Sequence, residues 1–203
     1  EWLPEERLIE EQIINTISSV YTAHGFTSIE TPAVEMLSTL VDQGVVDKEI
    51  YVLKRLQETE EKEAELGLHF DLTVPFARYV SQHLSSLNFP FRRQTLQKVW
   101  RGDRPQKGRF REFYQYDIDI VARDLLPIAC DAEVVTVVDK SFKKLNIGEH
   151  KIRLNNRKLL LGFYESLGLS EDVQKKVMVA VDKIDKIGPK GVSAELEQLN
   201  IDS

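Results

Sequence analysis

The sequence predicts an α+β fold in which an antiparallel sheet carries a cleft and helices pack behind it. Apolar residues recur at helical spacing over residues 4–23 and 126–145, which predicts two long helices. Between them, the segment that follows Arg111 alternates residue by residue, and this predicts a strand with two unlike faces. After residue 150 the pattern changes from mixed strands to short helices, so we expect two regions, residues 1–150 and 151–203.

The first predicted helix covers residues 4–23, because Pro4 suits the first helical position and Gly25 stops the helix. Its apolar face consists of Leu8, Ile9, Ile13, Ile17, Val20 and Tyr21. A strand over residues 26–31 follows, and Pro32 confines it to a sheet edge, a bulge or a strand end because proline cannot donate to a ladder. A helix followed by such an edge is a natural dimer surface, although an ordinary sheet edge is about as common.

Two further strands are predicted at residues 50–56 and 66–70, joined by a glutamate-rich loop that we expect to be solvated and without chemistry. Thr73 is expected to cap the helix that follows over residues 74–83. Asp71 and Thr73 therefore lie at a strand-to-helix junction. Spacing alone leaves Asp71 equally open to a capping role and to a ligand-binding role.

A basic hairpin is the most informative segment of the chain. A strand over residues 95–101 enters it, a long loop over residues 102–111 turns it, and a second strand leaves it. Five cations surround the turn: Arg101, Arg104, Lys107, Arg109 and Arg111. In a chain of formal net charge -6, this clustering indicates a phosphate site. A solvated basic hairpin or a nucleic-acid patch is the alternative, and ATP would satisfy the same arginines.

The second strand of the hairpin has one apolar face and one polar face. The core face carries Tyr114, Tyr116, Ile118 and Ile120. The other face carries Phe113, Gln115, Asp117 and Asp119. Burying two carboxylates and an amide is costly unless each has a partner, so the polar face better suits an open cleft. The alternation of the first strand places Arg101 beside Phe113 in that cleft.

Composition narrows the class of protein. The 203 residues, 42% of them hydrophobic, suit one large domain or one domain plus a fragment. The single cysteine, Cys130, excludes an internal disulfide framework and a multi-cysteine zinc site, and its helical surroundings predict a buried structural thiol. Because no apolar run approaches the length of a membrane span, we expect a soluble, cytoplasmic protein with no membrane partner.

The last region is predicted to be mainly helical. A short strand at residues 151–154 leads to an Asn-Asn pair that caps a helix ending near Gly168. A further helix spans residues 170–187 and closes at Gly188 and Pro189. The last short helix is expected at residues 194–199.

Three segments of the first region carry a family resemblance. They read G-F-T-S-I-E-T-P at 25–32, L-H-F-D-L-T-V-P-F-A-R at 68–78 and W-R-G-D-R-P-Q-K-G-R-F-R-E-F-Y-Q at 100–115. In that order they resemble the dimer-interface motif 1, the amino-acid-binding segment and motif 2 of the histidyl-tRNA synthetases, which are class II aminoacyl-tRNA synthetases. The R-P-Q-K-G-R core is characteristic of the histidine enzymes within that class. The likeness spans essentially all of residues 4–160.

The fold implied by the resemblance is a class II synthetase-like antiparallel sheet flanked by helices. Residues 1–150 would be the catalytic core with motifs 1 and 2, and residues 151–203 the beginning of a helical insertion. The resemblance also implies roles in ATP binding. Arg101 would bind the α-phosphate near the substrate carboxylate, Phe113 would stack on adenine, and Arg109 would approach the outer phosphates. Asp103, where the family more often has glutamate, would lie near the adenine amino group, and Mg²⁺ would accompany ATP.

The resemblance further implies a histidine site, two residues of which lie on the strand that carries Phe113. Asp71, Thr73 and Gln115 would hold the α-amino group of histidine, and Asp119 would hold its imidazole. Asp117 shares their face of the strand but receives no role. The agreement with the strand pattern is independent of the family, since Phe113, Gln115 and Asp119 share one face by alternation alone.

The activity implied is ATP-dependent ligation of histidine to its tRNA through histidyl-adenylate, by a homodimer. The family's second histidine signature, motif 3 and the anticodon-binding domain have no match in the sequence, so the chain is expected to be a fragment that is inactive alone. The alternative is a noncatalytic, synthetase-like regulatory subunit of ATP phosphoribosyltransferase. Such a paralogue is expected to lose the phosphate-binding arginines or the stacking ring, whereas Arg101, Arg109 and Phe113 are all present.

Overall fold

The chain divides into two compact units, residues 1–150 and residues 151–203. The first unit combines helices with two sheets, and the described part of the second unit is helical, as expected for an α+β chain. In the part of the chain that the structure describes, no helix is long and apolar enough to cross a membrane. The computed structural model describes residues 1–41, 50–57, 63–102, 104 and 107–198.

The first unit contains four helices and six strands within its described residues. In chain order they are α1 Pro4–Ala23, β1 Thr27–Ser28, β2 Val34–Met36, α2 Leu37–Leu40, β3 Val52–Leu53, β4 Leu66–Leu68, α3 Thr73–Gln82, β5 Phe91–Trp100, β6 Glu112–Val121 and α4 Ala129–Leu145. The structure confirms α1 at both ends, with Pro4 as its first residue. The strand β2 was not predicted. Much of the predicted acidic loop lies outside the described residues.

The strands form two three-stranded sheets, ordered β1-β5-β6 and β2-β4-β3. The strands β5 and β6 pair antiparallel along their whole length, from Phe91 opposite Val121 to Trp100 opposite Glu112. The edge strand β1 pairs parallel with β5, which the sequence pattern did not indicate. The second sheet is antiparallel throughout. The predicted antiparallel sheet is therefore centred on the β5–β6 pair.

The edge segment before Pro32 is attached to β5 mainly by side chains. The Gln94 amide donates to the carbonyl oxygen of Phe26 at 2.9 Å. The Gln97 amide donates to the carbonyl oxygen of Thr31 at 2.6 Å and accepts from the Thr31 backbone N–H at 3.1 Å. Gln97 thus replaces both ladder bonds that a neighbouring strand would supply. This explains why β1 is only two residues long although the chain stays beside β5.

Two helices pack behind the apolar face of β6, as predicted. The core cluster consists of Val20, Tyr21, Phe26, Ile120, Cys130 and Val137, with Tyr116 and Ile118 against it. The rings of Tyr21 and Tyr116 meet edge to face, with centroids 4.9 Å apart. Burial raises the pKa of Tyr21 to about 12. Cys130 is a buried free thiol, as the sequence predicted.

The two sheets meet at a buried histidine. His69 accepts the backbone N–H of Trp100 on its carbonyl oxygen at 3.1 Å and donates its own backbone N–H to Ala33 at 3.0 Å. Its Nε2 lies 2.7 Å from the carbonyl oxygen of Lys98, so Nε2 carries the proton. The segment after β4 is thereby held along the end of β5.

An ion pair attaches α3 to the second sheet. The Nε of Arg78 lies 2.9 Å from both carboxylate oxygens of Glu35, and its Nη2 lies 2.5 Å from Oε1. Glu35 is only 6% exposed, so this charge is paired inside the unit rather than at its surface. The pair fixes the helix that begins at the predicted amino-acid-binding segment.

The second unit contains three helices in its described residues: α5 Arg157–Ser166, α6 Glu171–Val181 and α7 Ile184–Gln198. The Asn156 side chain accepts from the Lys158 backbone N–H at 2.9 Å, which confirms the predicted cap. The strand predicted at residues 151–154 is wrong, because these residues find no partner strand among the described residues of this unit and have no regular structure.

The helix predicted at residues 170–187 is also wrong in its extent. The helix α6 ends at Val181, and α7 is kinked at Gly188, whose φ of 68° and ψ of 172° lie outside the helical range. Helix resumes at Pro189, so the predicted short helix at residues 194–199 is the end of a longer one. Residue 199 lies outside the described residues.

Gly67→Ala is expected to destabilise the first unit. A Cβ on Gly67 in the central strand β4 would lie 2.8 Å from Cδ2 of Leu37 and 3.1 Å from the carbonyl oxygen of Tyr51. Because part of this contact is backbone, the strand must shift, at a cost of about 1–3 kcal/mol. Urea unfolding followed by tryptophan fluorescence measures the change, since both tryptophans, Trp2 and Trp100, lie in this unit.

Gly162→Ala is the control for that substitution. Gly162 lies within α5, and a Cβ there would meet nothing within 4 Å. Alanine in a helix interior is favoured over glycine by about 0.5–1 kcal/mol, so the control is expected to be neutral or stabilising. Equal midpoints for Gly67→Ala and the parent protein would show that β4 accommodates the methyl group.

Candidate functional site

The floor of the candidate site is the polar face of the β5–β6 pair. Residues directly opposite one another in an antiparallel pair share a face. The pairs on this face are Val99 with Phe113, Gln97 with Gln115, Thr95 with Asp117 and Arg93 with Asp119. The side chains from β5 are buried, whereas those from β6 are partly exposed. The accessible floor is therefore supplied by β6.

One wall of the site is the start of α3. The Oδ1 of Asp71 accepts the backbone N–H groups of Thr73 and Val74 at 3.2 and 3.3 Å. Asp71 therefore caps the helix, and the prediction that Thr73 is the cap is wrong: Thr73 is the first helical residue and is exposed. The carbonyl oxygen of Leu72 accepts from Nη2 of Arg93 at 3.2 Å, which holds this wall against the floor.

Arg101 and Phe113 meet at the hairpin end of the floor. The Arg101 backbone N–H donates to the carbonyl oxygen of Arg111 at 2.9 Å, and its side-chain Nε donates to the carbonyl oxygen of Phe70 at 3.0 Å. Its guanidinium carbon lies 5.2 Å from the centroid of the Phe113 ring. Among the described residues, the two terminal nitrogens of Arg101 have no hydrogen-bond partner. A fixed guanidinium with two unused donor groups suits a phosphate ligand.

The basic loop is described only in part. Arg109 is exposed and follows Gly108, which has a φ of 78° and so requires glycine at the turn. Asp103 lies outside the described residues, so its place near adenine stays a prediction. At the base of the loop, Glu112 accepts from Nε1 of Trp100 at 2.9 Å and pairs with Lys98. The bond from Lys98 holds the pKa of Glu112 below its usual value.

Gln115 and Asp119 lie further along the same floor. The Nε2 of Gln115 donates to Oδ2 of Asp117 at 3.0 Å. The Oε1 of Gln115 is buried and has no partner among the described residues. Burial raises the pKa of Asp117, and the bond from Gln115 opposes that shift. An unsatisfied amide oxygen beside two carboxylates favours a ligand that carries N–H donors.

The structure adds one residue that the sequence analysis missed. Arg93 is 1% exposed, lies on the floor opposite Asp119, and its Nε is 2.7 Å from Oδ2 of that carboxylate. The predicted first strand began at residue 95, four positions after the start of β5 at Phe91. Extending the alternation of Thr95 backwards would have placed Arg93 on the polar face. An arginine on the polar face, opposite a strand with two carboxylates, would have indicated that Arg93 belongs to the site.

The chain is similar to known proteins along nearly its whole length. The family model described as Histidyl-tRNA synthetase matches residues 1–199. The chain is 47% identical over 210 aligned residues to Histidine--tRNA ligase from Micrococcus luteus, covering 98% of this chain and 45% of that protein. The chain thus spans less than half the length of this curated relative.

Solved structures show the same likeness. The histidyl-tRNA synthetase from Nostoc sp. PCC 7120 superposes with a TM-score of 0.86 at 41% identity, covering all of this chain and 44% of that one. An ATP phosphoribosyltransferase regulatory subunit/histidyl-tRNA synthetase from Bacillus halodurans C superposes with a TM-score of 0.80 at 20% identity, covering all of this chain and 50% of that one. The second likeness shows the fold alone. The predicted fold is confirmed and the family model matches nearly the whole of this chain, so the chain belongs to the histidyl-tRNA synthetase family.

Proposed function

We propose that the chain is the first part of the catalytic region of a histidine–tRNA ligase, which joins histidine to its tRNA through histidyl-adenylate. The observation that carries the proposal is the floor of the site. A fixed guanidinium and an aromatic ring, Arg101 and Phe113, lie at one end of a strand face whose other end carries Gln115 and Asp119. One face thus offers groups suited to ATP beside groups suited to an amino acid.

Arg101 is proposed to act on the reacting phosphate. The histidine carboxylate attacks the α-phosphorus of ATP in line, the bond to the leaving pyrophosphate breaks, and negative charge grows on the phosphoryl oxygens. A preorganised guanidinium stabilises that charge, and no protein nucleophile is needed. The bond from Nε to Phe70 and the contact with Phe113 hold Arg101 in place for this task. Phe113 is proposed to stack on adenine.

Two further residues of the basic loop are proposed to bind ATP. Arg109, in the exposed loop, would approach the outer phosphates, and Asp103 would lie near the adenine amino group. Within the described residues, no group of three His, Cys, Asp or Glu side chains could hold a metal ion. ATP carries Mg²⁺ on its own phosphates, where the ion neutralises charge, and no step of the proposal depends on a metal bound by these residues.

The opposite end of the floor is proposed to bind histidine. Asp71, Thr73 and Gln115 would hold the α-amino group, and Asp119 would accept a hydrogen bond from the imidazole. The unpartnered Oε1 of Gln115 supports this assignment, because an ammonium group would satisfy it. The bonds from Thr73 and Val74 to Asp71 occupy Oδ1 of that carboxylate, which leaves Oδ2 for a ligand.

A homodimer through α1 and the edge segment before Pro32 is also proposed. Three large apolar residues of α1, Leu8, Ile9 and Ile13, are 60%, 57% and 40% exposed. A row of exposed apolar side chains on one helix is typical of an interface. A cytoplasmic location, where such a ligase would meet its tRNA, remains a prediction.

A regulatory subunit of ATP phosphoribosyltransferase is the second candidate, since the fold is shared with a protein described in those terms. The site residues favour the ligase. A noncatalytic relative has no need for a phosphate-binding guanidinium beside an aromatic ring, and both Arg101 and Phe113 are present and in contact. Histidine-dependent exchange of pyrophosphate into ATP by the whole gene product distinguishes the two, because only the ligase forms the adenylate.

Arg101→Ala in the whole gene product is expected to raise the barrier to adenylation by about 3–4 kcal/mol, because one preorganised donor to the developing charge is lost. Histidine-dependent pyrophosphate exchange measures this as a lower kcat. Arg153→Ala is the control, since its side chain is 80% exposed in the second unit. An Arg101→Ala enzyme with the exchange rate of its parent would remove Arg101 from the reaction.

Asp119→Ala in the whole gene product is expected to weaken histidine binding by about 1–3 kcal/mol, because the imidazole loses its acceptor. Titration calorimetry with histidine measures the change. Asp124→Ala, at an exposed position just after β6, is the matched control. Unchanged histidine affinity in Asp119→Ala would take Asp119 out of the pocket.

Residues 1–203 alone are expected to bind ATP weakly and to fail in pyrophosphate exchange. The chain spans less than half of its relative, and stabilisation of the transition state by several charged groups is strongly non-additive. Exchange measured on residues 1–203 and on the whole gene product, side by side, tests this. Robust exchange by the shorter chain would show that its site is self-sufficient.

A further inference from the structure

Arg93 is a buried charge at the centre of the site floor. Its side chain is 1% exposed and stands opposite Asp119 in the β5–β6 pairing. Burial lowers the pKa of Arg93, and the nearby carboxylates of Asp119 and Asp117 oppose that shift. A buried guanidinium is costly unless charged partners surround it, so its position requires both carboxylates.

Three contacts fix the plane of this guanidinium. Its Nε lies 2.7 Å from Oδ2 of Asp119, an ion pair in which the N–H is not aligned for a hydrogen bond, and its Nη2 donates to the carbonyl oxygen of Leu72 at 3.2 Å. Its central carbon lies 4.3 Å from the centroid of the Phe76 ring. The contacts come from β6, from the wall before α3 and from α3 itself. A lysine ammonium, which is a point charge, could not maintain all three.

Arg93 also determines which part of Asp119 faces the cleft. The Oδ2 atom of Asp119 is fully buried, whereas the side chain as a whole is 33% exposed. The exposed surface therefore belongs to the remaining atoms of the carboxyl group and its Cβ. One carboxylate oxygen is held against Arg93, and the group cannot turn without breaking that ion pair.

Asp117 extends the same arrangement to Gln115. The Oδ2 of Asp117 lies 3.9 Å from Nη2 of Arg93 and accepts from Nε2 of Gln115 at 3.0 Å. With its NH₂ group engaged in this way, Gln115 keeps a buried Oε1 that no described residue satisfies. The amide is thus oriented as an acceptor rather than as a donor.

We propose that Arg93 is the positioning residue of the histidine site: it fixes Asp119 directly and Gln115 through Asp117, so that both present acceptors to the ligand. The inference rests on the proposed function, because it assigns no new ligand. Asp119 and Gln115 offer acceptors to the N–H groups of histidine. Arg93 holds both of them in place from the buried side of the site, where the ligand does not touch it.

Arg93→Lys in the whole gene product tests the proposal. We expect the KM for histidine in pyrophosphate exchange to rise by about ten- to a hundredfold, because acceptors displaced by a fraction of an ångström bind poorly. The KM for ATP is expected to change by less than about twofold, since Arg101 and Phe113 are untouched. Equal increases in both KM values would indicate general damage to the fold and would overturn the proposal.

Arg92→Lys is the matched control. Arg92 is the preceding residue of the same strand, but it faces away from the site and pairs with Glu133 of α4 at 2.6 and 2.9 Å. The substitution is identical, and the pair that it disturbs lies on the opposite face. We expect both KM values to stay at those of the parent. A histidine-specific defect in Arg92→Lys as large as that in Arg93→Lys would contradict the proposal.

A double-mutant cycle with Asp119→Asn separates positioning from mere stability. If Arg93 acts through Asp119, Arg93→Lys should raise the KM for histidine less in the Asp119→Asn background than in the parent. Fully additive effects would overturn the proposal.

If Arg93→Lys does not fold, Asp117→Asn tests the same network without altering the buried cation. Asp117→Asn should raise the KM for histidine several-fold and leave the KM for ATP unchanged. An unchanged KM for histidine would contradict the proposal.

The parent protein separates failure of this inference from failure of the proposed function. If the whole gene product shows no histidine-dependent exchange, the ligase proposal fails and the role of Arg93 fails with it. If the parent exchanges normally and Arg93→Lys retains its KM for histidine, only the positioning role is overturned.

Discussion

The antiparallel pairing of β5 with β6 is the interaction on which the rest of the first unit depends. Because side chains alternate along both strands, one pairing creates two surfaces at once. The apolar surface carries Tyr116, Ile118 and Ile120 and packs against α1 and α4. The polar surface carries Phe113, Gln115 and Asp119 and forms the floor of the candidate site. The core that stabilises the strands therefore also sets the positions of the site residues on their other side.

Polar side chains then connect this pair to every neighbouring element. Gln94 and Gln97 hold the edge segment before Pro32, Arg93 holds the wall before α3, and Arg92 holds α4 through Glu133. All four residues belong to β5. Each side chain satisfies backbone or charged groups that burial would otherwise leave without partners. The strand β5 thus acts as the common support of the unit, although most of the residues proposed to bind ligand lie on β6 or beside it.

The sequence predicted the parts of this arrangement that follow from local periodicity. The bounds of α1 came from Pro4 and Gly25, the two faces of β6 came from the alternation of its residues, and the buried state of Cys130 came from its neighbours. The parallel pairing of β1 could not be found in this way, because it depends on side chains of β5 more than sixty residues away. The alternating K-I-R-L at residues 151–154 resembled a strand, but without a partner strand alternation alone does not form one. At the candidate site, Arg93 was missed because the start of β5 was placed too late, and Asp71 was left open because capping is decided by geometry that spacing does not contain.

The neighbouring arginines of β5 make this strand intolerant of any change in its length. Arg92 and Arg93 are chemically identical, yet one has its carboxylate partner on α4 and the other on β6. Deleting or inserting a single residue of β5 between these arginines and the hairpin loop would change the face on which each arginine lies. Each guanidinium would then be separated from its own carboxylate, Arg92 from Glu133 and Arg93 from Asp119, and a buried charge without its partner is costly. Point substitutions can therefore accumulate in this strand during evolution, whereas single-residue insertions and deletions should be purged from it.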